Sequence, residues 1–152
     1  MSKADKSAVM RFLRVIPEFK PGEVVVAEEL INYYLEDPVG SGYNIAVAEV
    51  NAKVVGYTCY GPTPLTDGTW DLYWIAVDPR AQGSGVGKAL MAYTEAKIKG
   101  TRGRLILIET ASKDEYEKTR RFYDSQGYQL ICRIPDFYEP GDDKLILQKK
   151  LR

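Results

Sequence analysis

Val77-Asp78-Pro79-Arg80-Ala81-Gln82-Gly83-Ser84-Gly85-Val86-Gly87-Lys88-Ala89-Leu90-Met91 is the stretch around which the rest of the chain can be placed. Before it, Trp70-Asp71-Leu72-Tyr73-Trp74-Ile75-Ala76-Val77 is rich in aromatic and β-branched residues and reads as a strand. After it, Val86, Leu90, Tyr93 and Ile98 recur at near-helical spacing, with Ala, Lys and Glu between them. A strand therefore ends at Asp78-Pro79, a glycine loop follows, and a helix opens inside that loop. Gly83, Gly85 and Gly87 remove Cβ atoms at alternate positions, as a backbone must when something approaches it closely. Free N–H groups at a helix start, with the helix dipole behind them, favour an anion. These residues read as a cradle for a phosphate or pyrophosphate; the bland alternative is a glycine turn with no ligand.

Two familiar phosphate loops do not fit. A P-loop needs glycine five residues before Gly87, where Gln82 stands, and Ser or Thr after Lys88, where Ala89 stands. The dinucleotide fingerprint needs Gly-x-Gly-x-x-Gly, but Gly83-Ser84-Gly85 is followed by Val86-Gly87-Lys88, with the last glycine one place early. Composition narrows the chemistry further. The 152 residues carry 21 Lys+Arg against 21 Asp+Glu, which argues against broad electrostatic capture of nucleic acid. Histidine is absent, so His-based triads, His general bases and His metal sites are excluded. The two cysteines, Cys59 and Cys132, have no metal-binding spacing and suit free thiols in a cytosolic chain. The apolar runs are of strand length, so no membrane span is expected.

The remaining sequence reads as one mixed α/β domain over residues 1–152. Helices are expected over 4–16, 23–35, 85–99 and 115–126. Strands are expected over 44–50 and 53–60, joined by a tight turn at Asn51-Ala52, and then over 69–77, 104–109, 128–134 and 144–149. Residues 135–143, with aromatics and four carboxylates, read as a loop too long for a simple hairpin turn.

Gln82-Gly83-Ser84-Gly85-Val86-Gly87, in its strand–turn–helix setting, resembles the Gln/Arg-x-x-Gly-x-Gly/Ala loop of the GCN5-related N-acetyltransferase (GNAT) superfamily. Phe122-Tyr123-Asp124-Ser125-Gln126-Gly127-Tyr128 resembles that superfamily's Leu/Phe-Tyr-x-x-x-Gly-Phe/Tyr helix ending. The resemblance runs over about residues 44–150. It implies a central, mostly antiparallel mixed sheet splayed between two parallel strands and flanked by helices. It also implies acetyl-CoA as acyl donor, without a metal, and direct transfer to a primary amine.

The same resemblance assigns roles. Gln82, Gly83, Ser84, Gly85, Val86, Gly87 and Lys88 would hold the pyrophosphate, and Ile75, Ala76 and Val77 would lie along the pantetheine. Tyr116 stands seven residues before Tyr123, near where many members carry an asparagine that touches the cofactor; with Phe122 it is a further cofactor contact. Tyr123 would protonate the departing thiolate, a task open to a phenol that is neutral at pH 7; read by its position alone, it is more readily a core residue with its hydroxyl tied elsewhere. Asp71 is the candidate base for the incoming ammonium, with Glu109 as the second. Tyr73, Glu109, Asp136 and Tyr138 would border the acceptor.

The partners expected are acetyl-CoA and an amine, with neither nucleic acid nor membrane, in a monomer or homodimer. Members usually begin with a strand before the first helix, and residues 1–6 are too short and polar for one. Either the start is trimmed or the sheet carries an uncovered edge there. Two rivals stand beside transfer: a CoA-binding sensor of the same fold, and an interaction protein that uses the exposed edge strand.

Overall fold

The computed structural model describes residues 1–151. Two helices come first, α1 (Lys6–Leu13) and α2 (Pro21–Glu36). A 3-10 turn at Lys3–Asp5 precedes α1, so the expected 4–16 helix is shorter and tighter at its start. Pro21 at the first helical position and Glu23, whose carboxylate accepts the Lys20 N–H at 2.8 Å, start α2 two residues earlier than expected. Then come β1 (Asn44–Val50), β2 (Lys53–Pro62), β3 (Thr69–Val77), α3 (Val86–Gly100), β4 (Leu105–Ala111), α4 (Glu117–Ser125), β5 (Gln129–Glu139) and β6 (Asp142–Lys150). Asn51 and Ala52 take φ of 51° and 59°, the geometry that joins β1 and β2 as a two-residue hairpin.

The strands form one sheet in the order β1-β2-β3-β4-β6-β5. Every neighbouring pair is antiparallel except the central β3–β4, which is parallel. That central pair is short. Thr69 to Leu72 pair with Leu105 to Ile108, and beyond them the two strands part. A bulge prepares the parting. Cys59 pairs with Trp74 and Tyr60 with Leu72, which leaves Tyr73 as an extra residue in β3. Side chains alternate along a strand, so one inserted residue reverses the faces on either side of it. Leu72 accordingly packs with α3 and α4, in the core that holds Met91, Ile98 and Tyr123. Trp74, two residues on, packs with α1 and α2 over Phe12, Ile31 and Tyr57.

The expected 135–143 loop is instead a hairpin. β5 runs to Glu139, which pairs with Asp142 across a Pro140-Gly141 turn. Its length is hidden by a bulge between Ile134 and Glu139, where Asp136 takes φ 53°. Two carboxylates brace this backbone. Asp143 accepts the Asp136 N–H at 2.9 Å and an Arg133 N–H, and Asp136 accepts the Gly141 N–H at 2.7 Å. β1 and β5 are the sheet edges, and the Met1 ammonium donates to the Ile45 carbonyl of β1 at 3.4 Å. Among the described residues, no helix is long and apolar enough to cross a membrane.

Candidate active site

Where β3 and β4 part, the sheet opens into a cleft of about 1040 Å³. One end is the glycine loop. Asp78, only 3% exposed, starts it by accepting the Arg80 N–H at 3.0 Å and the Arg80 Nη2 at 2.7 Å. The Arg80 hydrogen bond holds the Asp78 carboxyl below the usual carboxylate range despite its burial. Gly83 and Gly85 take φ of 77° and 88°, left-handed backbone that side-chain-bearing residues rarely adopt. No heavy atom lies within 4 Å of where a Cβ would stand at either, so open space lies above the loop. Gly87 differs. A Cβ there would lie 3.4 Å from the Phe122 ring, an ordinary van der Waals contact, so the space above Gly87 is already bordered by α4.

Gln82, Gly83, Gly85, Gly87 and Lys88 line the cleft. Ser84 and Val86 do not line it with their side chains. Ser84 Oγ turns back to the Ala81 carbonyl at 2.5 Å, and Val86 is buried in the core. The first N–H groups of a helix lack intrahelical partners, and α3 starts beside these residues. α4 adds a cation that sequence reading missed. Lys118 Nζ donates to Gln82 Oε1 at 2.6 Å, and Gln82 Nε2 donates to the Val77 carbonyl at 3.2 Å. Lys88 and Lys118 both face the cleft without an ion-pair partner among the described residues. The lysine-to-glutamine contact joins residues 36 apart, so no local pattern could have announced it. A phosphate fits this end: open space, left-handed glycines, a helix start and two unmatched cations.

Ile75, Ala76 and Val77 form the β3 wall, and Phe122 and Tyr123 the α4 wall, with Tyr116 just before α4. Tyr123 is 7% exposed and packs on Phe122 and Tyr128, with ring centroids 5.6 Å and 6.1 Å away. Its hydroxyl makes no hydrogen bond among the described residues. Burial pushes its phenol well above the ordinary value of 10, so it keeps its proton throughout the neutral range. Tyr116 is committed elsewhere, donating to the Glu18 carbonyl at 3.2 Å. Burial first, then the charges of Glu23, Glu115 and Asp142, push it up to about 12.

The other end is acidic and aromatic. Asp71 pairs in register with Leu107, so Asp71 and Glu109 share one sheet face. Thr63 Oγ1 donates to Asp71 Oδ2 at 2.6 Å, and no cation pairs with Asp71 among the described residues. Glu109 is paired with Lys144 at 2.6 Å. Tyr73, the bulge residue, stands edge-on to Tyr43 at 5.5 Å and is pushed up to about 12 by burial, with Asp71 adding to it. Tyr138 lines the cleft as expected. Asp136 does not line it, because the β5 bulge uses its carboxylate as a brace; it is withdrawn from the acceptor side. The first segment supplies what sequence reading left out. Glu18, Phe19 and Glu23 face the cleft, and Phe19 packs on Trp74 at 5.1 Å.

Comparison with known proteins accords with this geometry. Residues 41–130 match the profile of the family described as "Acetyltransferase (GNAT) domain". An uncharacterized N-acetyltransferase of Methanocaldococcus jannaschii is 30% identical over 105 residues, 68% of this chain. The match spans 64% of that relative's own length. A solved structure from Desulfovibrio desulfuricans, assigned to the GNAT acetyltransferases, is 40% identical with a TM-score of 0.95, covering 99% of this chain and 94% of that one. An aminoglycoside 6'-N-acetyltransferase solved with coenzyme A shares the fold at 18% identity and a TM-score of 0.76, covering 97% and 91%.

Proposed function

The chain belongs to the GNAT acetyltransferase family, and from that premise we propose that it moves an acetyl group from acetyl-CoA directly to a primary amine. The observation that carries the reading is the cleft itself: it is lined by an anion cradle, by carboxylates without an ion-pair partner among the described residues, and by Tyr123, whose hydroxyl has no partner among them either. Bound acetyl-CoA would supply the acetyl group as an activated thioester. Backbone N–H groups at the start of α3, with Lys88 and Lys118, would hold its phosphates. The freed edge of β3 at Ile75 and Val77 offers main-chain groups for its amides. Asp71 receives the proton that the ammonium must lose before its nitrogen can attack. Tyr123 gives its Oη proton to the departing sulfur and recovers one from water.

A covalent acyl-enzyme has no support among the thiols. Burial pushes Cys59 up to about 12, and Cys132 is exposed on β5 outside the cleft. The test pairs calorimetry with chemistry. CoA should bind in the micromolar range, and acetyl-CoA with an amine panel should release thiol in step with acetylated product. Binding without release from any amine would favour a CoA sensor; no binding would remove the cradle from the account.

A further inference from the structure

The acceptor end of the cleft holds more negative charge than one ammonium can match. Glu18, Glu23, Asp71 and Asp142 all line it, and none has an ion-pair partner among the described residues. The lysines nearest that end are taken: Lys20 lies 4.0 Å from Glu115, and Lys144 2.6 Å from Glu109. In a chain of net charge zero, this is a local excess built into one cavity.

The carboxylates fall in two places. Asp71 sits where β3 and β4 part, beside Tyr73 and Tyr43. Glu23 and Asp142 line the same cleft as Tyr116 and Tyr138, and both carboxylates act electrostatically on those two phenols. Asp142 is 1% exposed and uses one oxygen on the Ser112 N–H at 3.2 Å, leaving the other without a partner among the described residues. The Tyr123 hydroxyl, also without a partner among the described residues, belongs to a residue that lines the same cleft, and on the transfer reading it marks where an acceptor nitrogen meets the thioester. A roof crosses above: Phe19 on Trp74, and Tyr116 hydrogen-bonded to Glu18. A slender acceptor passes beneath such a roof, and a folded protein surface does not.

We propose that the acceptor is a small molecule with two or more amines, one reacting beside Asp71 while a second, as ammonium, is held by Glu23 and Asp142 against Tyr116 and Tyr138. The inference rests on the acetyl-transfer reading and names its substrate class. In the reaction a carbon–nitrogen bond forms at the near amine and the thioester carbon–sulfur bond breaks. The amine's proton leaves through Asp71, and sulfur takes the Tyr123 proton. The far ammonium is unchanged. It is recognised by charge-assisted hydrogen bonds and aromatic faces.

The experiment measures thiol release from acetyl-CoA with linear diamines of increasing length, with monoamines of matched length, and with a peptide bearing a free N-terminal alanine. Diamines should exceed matched monoamines in kcat/KM by roughly 10–100-fold, with an optimum length, since a hydrogen bond to a charged group carries about that factor. In Glu23→Gln and Asp142→Asn, which keep the Lys20 and Ser112 hydrogen bonds, that ratio should fall toward one, chiefly through KM. Equal use of monoamines, or preference for the peptide, overturns the proposal and leaves acetyl transfer standing. No release with any amine, from protein that binds acetyl-CoA, overturns the transfer reading itself.

Discussion

At the residue scale, the decisive feature of Asp71 is what it lacks. Glu109 on the same face is tied to Lys144, whereas among the described residues Asp71 has only the Thr63 hydroxyl as a side-chain partner. Asp71→Asn preserves the shape and removes the charge, so kcat/KM should fall strongly at pH 7 and recover in part at higher pH, as free amine forms without help. Superimposable pH–rate profiles for variant and wild type would make Asp71 structural. Lys118 carries a second prediction. In Lys118→Met, CoA affinity should fall roughly tenfold and the salt dependence of binding should weaken, while pantetheine, which lacks the phosphates, should be bound as before. Equal losses for both ligands would show that Lys118 only clamps Gln82.

At the element scale, the glycine loop and the Tyr123 helix were legible because their signals are local. Gly83 and Gly85 need left-handed backbone, and Gly127, at φ 84°, ends α4 by donating to the Asp124 carbonyl at 2.9 Å. The β5–β6 hairpin was not legible, since its bulge is held by Asp136 and Asp143 hydrogen bonds that exist only once the strands pair. The Tyr73 bulge was hidden likewise: it appears only against the register of β2. The acidic lining from Glu18 and Glu23 depends on how the α1–α2 segment lies over the sheet, which no spacing in the chain states. Two glycine substitutions separate backbone geometry from crowding. Gly85→Ala should cost about 1–2 kcal/mol, because an L-residue is forced left-handed there. Gly100→Ala, in α3 with nothing within 4 Å of the added Cβ, should stabilise by about 0.5–1 kcal/mol. Urea midpoints of the two variants measure both; equal effects would remove φ from the explanation.

At the scale of the whole molecule, one sheet carries two cores, and β3 passes from one to the other at its bulge. Those cores hold buried phenols. Tyr57, fully buried, has a hydroxyl with no hydrogen-bond partner among the described residues, and burial raises its phenol well above 10. Burial also raises Tyr123 and Tyr128. A phenol with a raised folded value favours the folded state fully below the unfolded value near 10, and that contribution is lost as pH rises through the folded one. Stability should therefore drop above about pH 10, and Tyr57→Phe should both soften that drop and stabilise the protein at pH 7 by about 1 kcal/mol. Chemical denaturation across pH reads both effects; destabilisation by Tyr57→Phe at pH 7 would mean its hydroxyl has a partner after all. The same burial that raises Tyr123 keeps it a proton donor, which joins packing to chemistry. The most direct test is therefore turnover of Tyr123→Phe at saturating acetyl-CoA and amine, with CoA affinity measured in parallel. In this variant kcat should fall by roughly 10²–10⁴ with CoA affinity unchanged. Wild-type turnover in the folded, CoA-binding variant would contradict it.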